Sequence, residues 1–309
     1  MVGELAKIAG REPIAEYLHG IAMPLIGLVV VLLWAASSLS AQTLVRLQVD
    51  NDAMVLGPRH DRDYTHGIDF SVGRRRCTAG ECRVLRLGVI QALFTPDLLY
   101  PLDPPADRPF AGYLGAHGSL EHWTDRGTWQ LTATLGARGP AALGEPMQRF
   151  IHRLFGFIEP PSWDRQLGPA PWIAASGSFG RWVQAGPVRL GALGRAETGT
   201  MRTLAEVGAR AGVGPDARWL DPRPVQGFHA GIAIEAGQRW FASDATLMGV
   251  AGGAGVSGVH EWRPWIGGDA SLRFGSWAAT VSMRWLGRDF DGQESAPVVG
   301  SAVVQWTPR

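Results

Sequence analysis

The sequence predicts an all-β fold: a transmembrane antiparallel β-barrel of twelve strands with one short helix in an extracellular loop. Three observations lead there. After residue 42 the chain alternates apolar and polar residues in runs of about ten, broken by Gly, Pro or Asp, and a period of two marks a strand whose faces meet different surroundings. The apolar face carries many aromatics near strand ends, whereas the other carries Thr, Ser, Gln, Arg and His, which suits lipid outside and a polar interior. Finally, an apolar run from Pro24 to Ala36, followed by small residues suited to cleavage near Ser40 or Ala41, reads as an export signal.

Residues 1–41 form the export region. The stretch ahead of the apolar run is long and carries acids, and Met23 is an alternative start. Residues 42–309 form the barrel. Its strands are expected near 43–52, 64–75, 83–92, 110–122, 127–137, 170–184, 187–197, 201–213, 226–240, 259–274, 276–287 and 296–307. "IDFSVG" opposes Ile68, Phe70 and Val72 to Asp69, Ser71 and Gly73. "GTWQLTATLGA" sets Trp129, Leu131, Ala133 and Leu135 against Thr128, Gln130, Thr132 and Thr134. "WAATVSMRWLG" does the same with Trp277, Ala279, Val281, Met283 and Trp285 against Thr280, Ser282 and Arg284. The even count suits a closed bacterial barrel, although the chain runs three residues past its last aromatic in "VVQWTPR". With the N-terminus in the periplasm, the breaks at 53–63, 93–109, 138–169, around 198–200, 241–258 and 288–295 face outside the cell, and the short turns at 76–82 and 123–126 face inward.

Composition narrows the function. A net charge of +1 offers no basic field for nucleic acid. No stretch beyond the N-terminus reaches the ~20 apolar residues of a spanning helix. Lys7 is the single lysine, and the arginine excess reads more readily as codon bias than as a phosphate site. Cys77 and Cys82 flank "TAGE" between two strands; in an oxidising compartment they staple a hairpin, and a lone pair is half a zinc site.

One loop contains a helix. "GEPMQRFIHRLFGF" places Pro146 in a first turn and Gly156 at the stop. Gln148 and His152, four apart, share a face, and Met147, Ile151, Leu154 and Phe155 form an apolar stripe. Of the eight histidines, His19 belongs to the export region, His60 and His66 to a rim segment, and His117, His122, His229 and His260 to strands or their ends. His152 alone has a polar partner on a rigid loop element, which makes it the candidate base. In "DNDAMVLGPRHDRDYTHG", residues 50–67, alternation sends Asp52 inward with Asp50 and Gln48, Asn51 outward with Val49 and Leu47, and Thr65 inward with Gly67 and Asp69. Asp52 and Thr65 then meet at one rim. Hard oxygens suit Ca²⁺, but the spacing is not that of an EF-hand, and an Asx turn explains an isolated Asn-Asp equally well. Gly-x-Ser-x-Gly is absent; a serine nucleophile on a strand stays open.

"DNDAM", "DRDYTHG", "DRPFAGYL" and "GPAALGEPMQRFIHRLFGFIEPPSWDRQL", in this order, resemble the outer-membrane lipid A 3′-O-deacylase (LpxR) family over residues 48–167. The resemblance implies a calcium-dependent esterase at the outer rim that removes the acyloxyacyl group from the 3′ position of lipid A. It maps the family's catalytic groups onto His152, Asn51, Gln148 and Thr65, and its metal ligands onto Asp52 and the backbone near Thr65. His152 would take a proton from water, Asn51 would help stabilise the oxyanion, and Gln148 would orient water or substrate. An acid that members carry six residues after the histidine is replaced by Ile158, with Glu159 next in line to ligate the metal, and a Lys-Arg pair of some members is missing from "LYPLDPPADRPF". The implied partners are lipopolysaccharide and outer-membrane lipid, with no nucleic acid and a monomeric protein. Two alternatives remain at this point: an outer-membrane phospholipase, or a non-catalytic structural or pore-forming barrel.

Overall fold

The computed structural model describes residues 42–52, 63–96, 107–156, 160, 163–214, 220–223, 225–249 and 255–308. The expected export region lies outside them. Twelve antiparallel strands close into one barrel: β1 (Thr43–Asn51), β2 (Asp63–Cys77), β3 (Glu81–Thr95), β4 (Ala111–Thr124), β5 (Gly127–Arg138), β6 (Ala170–Ala185), β7 (Val188–Gly199), β8 (Arg202–Val213), β9 (Phe228–Asp244), β10 (Trp262–Phe274), β11 (Trp277–Leu286) and β12 (Val298–Trp306). Among the described residues the one α-helix, α1 (Gly144–Phe155), lies between β5 and β6. Closure is made by β1 and β12, from Val45 opposite Trp306 to Asn51 opposite Gly300. Every strand falls where alternation places it. β2 and β3 run longer than expected because they stay paired up to Cys77 and Cys82, which face each other and are disulfide-bonded.

The faces are inverted relative to a water-soluble protein. Leu87, Leu131, Ile234 and Trp262 are exposed on the outer wall, while Arg46, Arg86, Glu121, Arg210, Glu235 and Asp269 are buried inside. The interior charges are paired: Arg86 with Glu121, Arg210 with Asp269 and Arg284 with Glu235, each at 2.6 Å. Such pairing is what makes a buried charge tolerable.

The lumen is obstructed at its short-turn end. There the segment Leu220–Arg223, between β8 and β9, lies within reach of inward-facing side chains that hold its backbone. Arg75 donates to the Pro222 carbonyl at 2.8 Å, Arg273 to Asp221 at 3.0 Å, and Gln305 to Leu220 at 3.3 Å. At the other end charges around Arg108 link the start of β2 to the β11–β12 connection. Between them lies a cavity of about 620 Å³ walled by Asp50, Asp69, Arg86, His117 and Arg239 among others. The purified protein is therefore expected to show almost no ion conductance in planar bilayers, and the double substitution Arg75→Ala/Arg273→Ala is expected to raise it. Stable wide-pore currents from the unsubstituted protein would contradict this picture of the lumen.

Candidate active site

Four strand ends form one polar strip on the outer wall. Asn51 of β1 pairs with His66 of β2, His66 with Leu93 of β3, and Leu93 with Gly112 of β4. Along the outward-facing residues of β3, Leu85, Leu87 and Val89 are open, with Leu87 67 % exposed, and the exposure then falls abruptly at Gln91 and reaches 0 % at Leu93. His66, on the neighbouring strand, is 4 % exposed. The wall is covered at this level by the β5–β6 connection, which folds down onto it. Gln91 donates to the Ala142 carbonyl at 2.7 Å. Gly112 permits the approach: a Cβ there would stand 3.3 Å from Ala142 Cβ and 3.4 Å from Gly144 Cα. Leu93, Phe110 and Trp163 make a buried cluster with Met147 of α1 against it.

α1 starts and stops as its sequence indicates. Pro146 sits in the first turn, where its missing N–H costs nothing, and Gly156 ends the helix at φ 67°, donating to the His152 carbonyl. The face it buries differs from expectation. Gly144, Gln148 and His152 point into the structure, the two polar side chains 2 % and 4 % exposed, whereas Phe150 is 60 % exposed and Met147, Ile151 and Leu154 are half-buried. An apolar stripe packs inward only when water lies on the far side. The outward face is mixed, with Phe150 beside the exposed Arg153 and the partly exposed Glu145–Arg149 pair, a set that suits a boundary between lipid and headgroups, while Gln148 and His152 turn inward.

The strand-end residues are placed as follows. Asn51 is half-buried on the outer face, and Asp52, one residue past β1 in a helical turn, is buried. Thr65 does not face inward. A bulge between Tyr64 and His66 shifts the register of β2 against β3 and moves the intervening residue to the other side. Tyr64 points inward and donates to Asp50 at 3.0 Å, while the Thr65 hydroxyl lies 2.6 Å from that of Thr95, on the face of β3 that carries Leu93. Gln148 accepts a hydrogen bond from the Trp163 indole at 2.9 Å. Glu159 lies outside the described residues. The fold thus places Asn51, Asp52 and Thr65 at the ends of β1 and β2, and Gln148 and His152 on a helix whose start packs over β3 and β4. Among the described residues no three His, Cys, Asp or Glu cluster as a metal centre. A cation here would rely on the Asp52 carboxylate, the Asn51 amide oxygen and backbone carbonyls, which is a hard oxygen set of the kind Ca²⁺ accepts.

The family model described as "Outer membrane protein LpxR" matches residues 22–307. The chain belongs to this family. LpxR from Salmonella typhimurium has a similar structure, with a TM-score of 0.70 and 19 % identity over 85 % of this chain and 99 % of that one. More distant is the β domain of the Bordetella autotransporter BrkA, at 13 % identity and a TM-score of 0.46, over 86 % of this chain and 97 % of that one. No curated protein matches the chain.

In this LpxR-family protein, two features of the site had no counterpart in the sequence reading. Trp163 was part of a motif without a role. The other is the clasp around Arg108, which anchors the start of β2 just ahead of the bulge. Arg108 pairs with Asp63 at 2.9 Å and with Asp289, Arg263 meets Asp289 at 2.5 Å, and Gln293 donates to Asp63 at 2.9 Å. Burial alone would weaken the Arg108 charge, but Asp63 and Asp289 more than reverse that and raise its pKa above the ordinary value. Arg108→Ala would leave Asp63 without its buried cation, with a cost of about 3–5 kcal/mol. Urea unfolding in lipid vesicles is expected to show a matching loss of stability, and an unchanged midpoint would count against the clasp.

Proposed function

We propose that this chain is a calcium-dependent outer-membrane esterase that removes the 3′-linked acyloxyacyl group from lipid A, acting at the extracellular rim. One observation supports the reading: α1 buries the polar Gln148 and His152 rather than its apolar stripe, on a helix whose start packs over β3 and β4, next to the strands whose ends hold Asn51 and Asp52. Polar groups buried on the outside of a membrane barrel are costly to maintain, and such a place suits a substrate that arrives through the membrane. Membership of the LpxR family supports the same substrate class.

The residues divide the work by chemistry. His152, held on a helix and shielded from water, accepts the proton of the attacking water as general base. The Asn51 amide donates to the oxygen on which charge builds. Gln148 orients the reacting groups one turn before His152. Thr65 holds the bulge through Thr95 and turns backbone oxygen toward the Asp52 end. Calcium, when bound by Asp52, oxygens near Asn51 and Thr65, and Glu159, supplies Lewis-acid polarisation of the ester carbonyl.

Mass spectrometry of lipid A from cells expressing the protein is expected to show loss of the 3′-linked chains, suppressed by chelation and restored by calcium. His152→Ala and Asp52→Ala are each expected to lower that cleavage by about 10²-fold or more, while the barrel remains folded and heat-modifiable. Near-normal cleavage by His152→Ala would remove the general base from this scheme. Release of lysophospholipid instead would indicate a phospholipase, and no product with calcium present a non-catalytic barrel.

A further inference from the structure

We propose that Trp163 is a positioning residue that fixes the orientation of the Gln148 amide, its oxygen toward the indole and its NH₂ away from it, so that Gln148 serves the ester oxygens as a hydrogen-bond donor. The proposal rests on the esterase reading and refines it. Its starting point is the 2.9 Å bond between Trp163 Nε1 and Gln148 Oε1. An indole N–H can only donate, so the atom it meets must be the amide oxygen, and the usual ambiguity between oxygen and nitrogen of a glutamine is resolved by chemistry. The indole takes one of the two lone pairs of that oxygen and so fixes which way the amide lies, with the NH₂ group turned to the other side. NH₂ donates and does not accept. It can hold a carbonyl oxygen, an oxyanion or a departing alkoxide, but it cannot take a proton from water. His152, on the same buried face of α1, is the neighbour with an acceptor nitrogen. The two residues therefore divide between the two ends of the reaction.

The indole is well fixed. Trp163 is 0 % exposed and stacks on Phe110 with ring centroids 4.9 Å apart. A Cβ on Gly144 would lie 2.5 Å from Trp163 Cζ3, so the helix backbone already presses on the ring. The Leu167 amide donates to the Phe110 carbonyl at 2.8 Å, which ties the segment after the tryptophan to the wall. Water has little access to replace a lost bond between two such buried groups. Trp163 thus carries the position of β3 and β4 to the orientation of one amide.

Three variants test this. Trp163→Phe keeps the ring and removes the donor; its kcat for 3′ deacylation is expected to fall about tenfold with KM changed less than about twofold. Gln148→Glu keeps an acceptor for Trp163 but has no donor to offer, and is expected to lose about 10²-fold or more. In a Gln148→Met background, where no amide needs orienting, Trp163→Phe is expected to have no further effect, whereas a merely structural role would slow both backgrounds alike. The bond itself is read without turnover: the Trp163 indole ¹H–¹⁵N resonance is expected to shift in Gln148→Met and to stay hydrogen-bonded in Gln148→Glu. Near-normal activity of Gln148→Glu, an equal penalty from Trp163→Phe in both backgrounds, or an indole resonance unmoved by Gln148→Met would each overturn the proposal. If the unsubstituted protein releases no acyl chain, the esterase reading fails while the indole resonance still decides the pairing.

Discussion

A polar group on the outside of a membrane barrel must be covered, and in this protein that requirement joins the loop helix to the wall. Gln91, His66 and Thr95 stand at positions that, a few residues further down the same faces, belong to Leu87, Val89 and Phe70. Left open to hydrocarbon, each unsatisfied group would cost several kcal/mol. The β5–β6 connection meets the need at specific points, with the Ala142 carbonyl on Gln91 and α1 over Leu93 and Gly112. The dependence runs both ways, because Gln148 and His152 could not face lipid either. Neither the strip nor the helix is stable in its present chemistry without the other, and the space between them is shielded from water on one side and lipid on the other.

The barrel beneath behaves as a rigid support. Its backbone bonds are satisfied by closure, which leaves no strand edge, and its inward charges form cross-strand pairs such as Arg46 and Arg86 around Glu121. The segment at Leu220–Arg223 obstructs one end of the lumen, and the Arg108 clasp ties β2 to the β11–β12 connection at the other. The strand ends that bear Asn51 and Asp52 inherit their precision from this wall, as does the helix that bears His152.

What was legible in the sequence follows from how local each cause is. Alternation is a property of neighbouring residues, so the twelve strands could be placed and the inward set Thr128, Gln130, Thr132 and Thr134 identified. The helix was legible because Pro146 and Gly156 act within one turn. The candidate site is legible only as a roster: helix spacing brings out Gln148 and His152, alternation brings out Asp52, and motif resemblance adds Asn51 and the roles, while their neighbourhood needs the loop to fold back. Alternation sends Thr65 to the wrong face because it counts residues, and a bulge adds one without a sequence mark. The position of Leu220–Pro222 inside the barrel is set by Arg75, Arg273 and Gln305, which lie 52 to 147 residues from the carbonyls they hold. No local pattern carries that information.

The helix shows most directly how the surroundings set the sign of a pattern. The spacing of Met147, Ile151 and Leu154 from Gln148 and His152 is fixed by the α-helical repeat, and it says only that two faces differ. Which face packs depends on what fills the space beyond. With water outside, the apolar face would have docked on the wall and exposed the histidine. Here Phe150 and Leu143 stay open beside the exposed Arg153, a mixed surface, and the histidine is enclosed. An amphiphile approaching within the outer leaflet would meet Phe150 and Leu143 with its chains, while a bond close to its headgroup would lie level with the polar face beneath. On the esterase reading, the same inversion that hides His152 from the solvent selects an ester at the boundary between chain and headgroup, because a water-soluble ester has no comparable route to it.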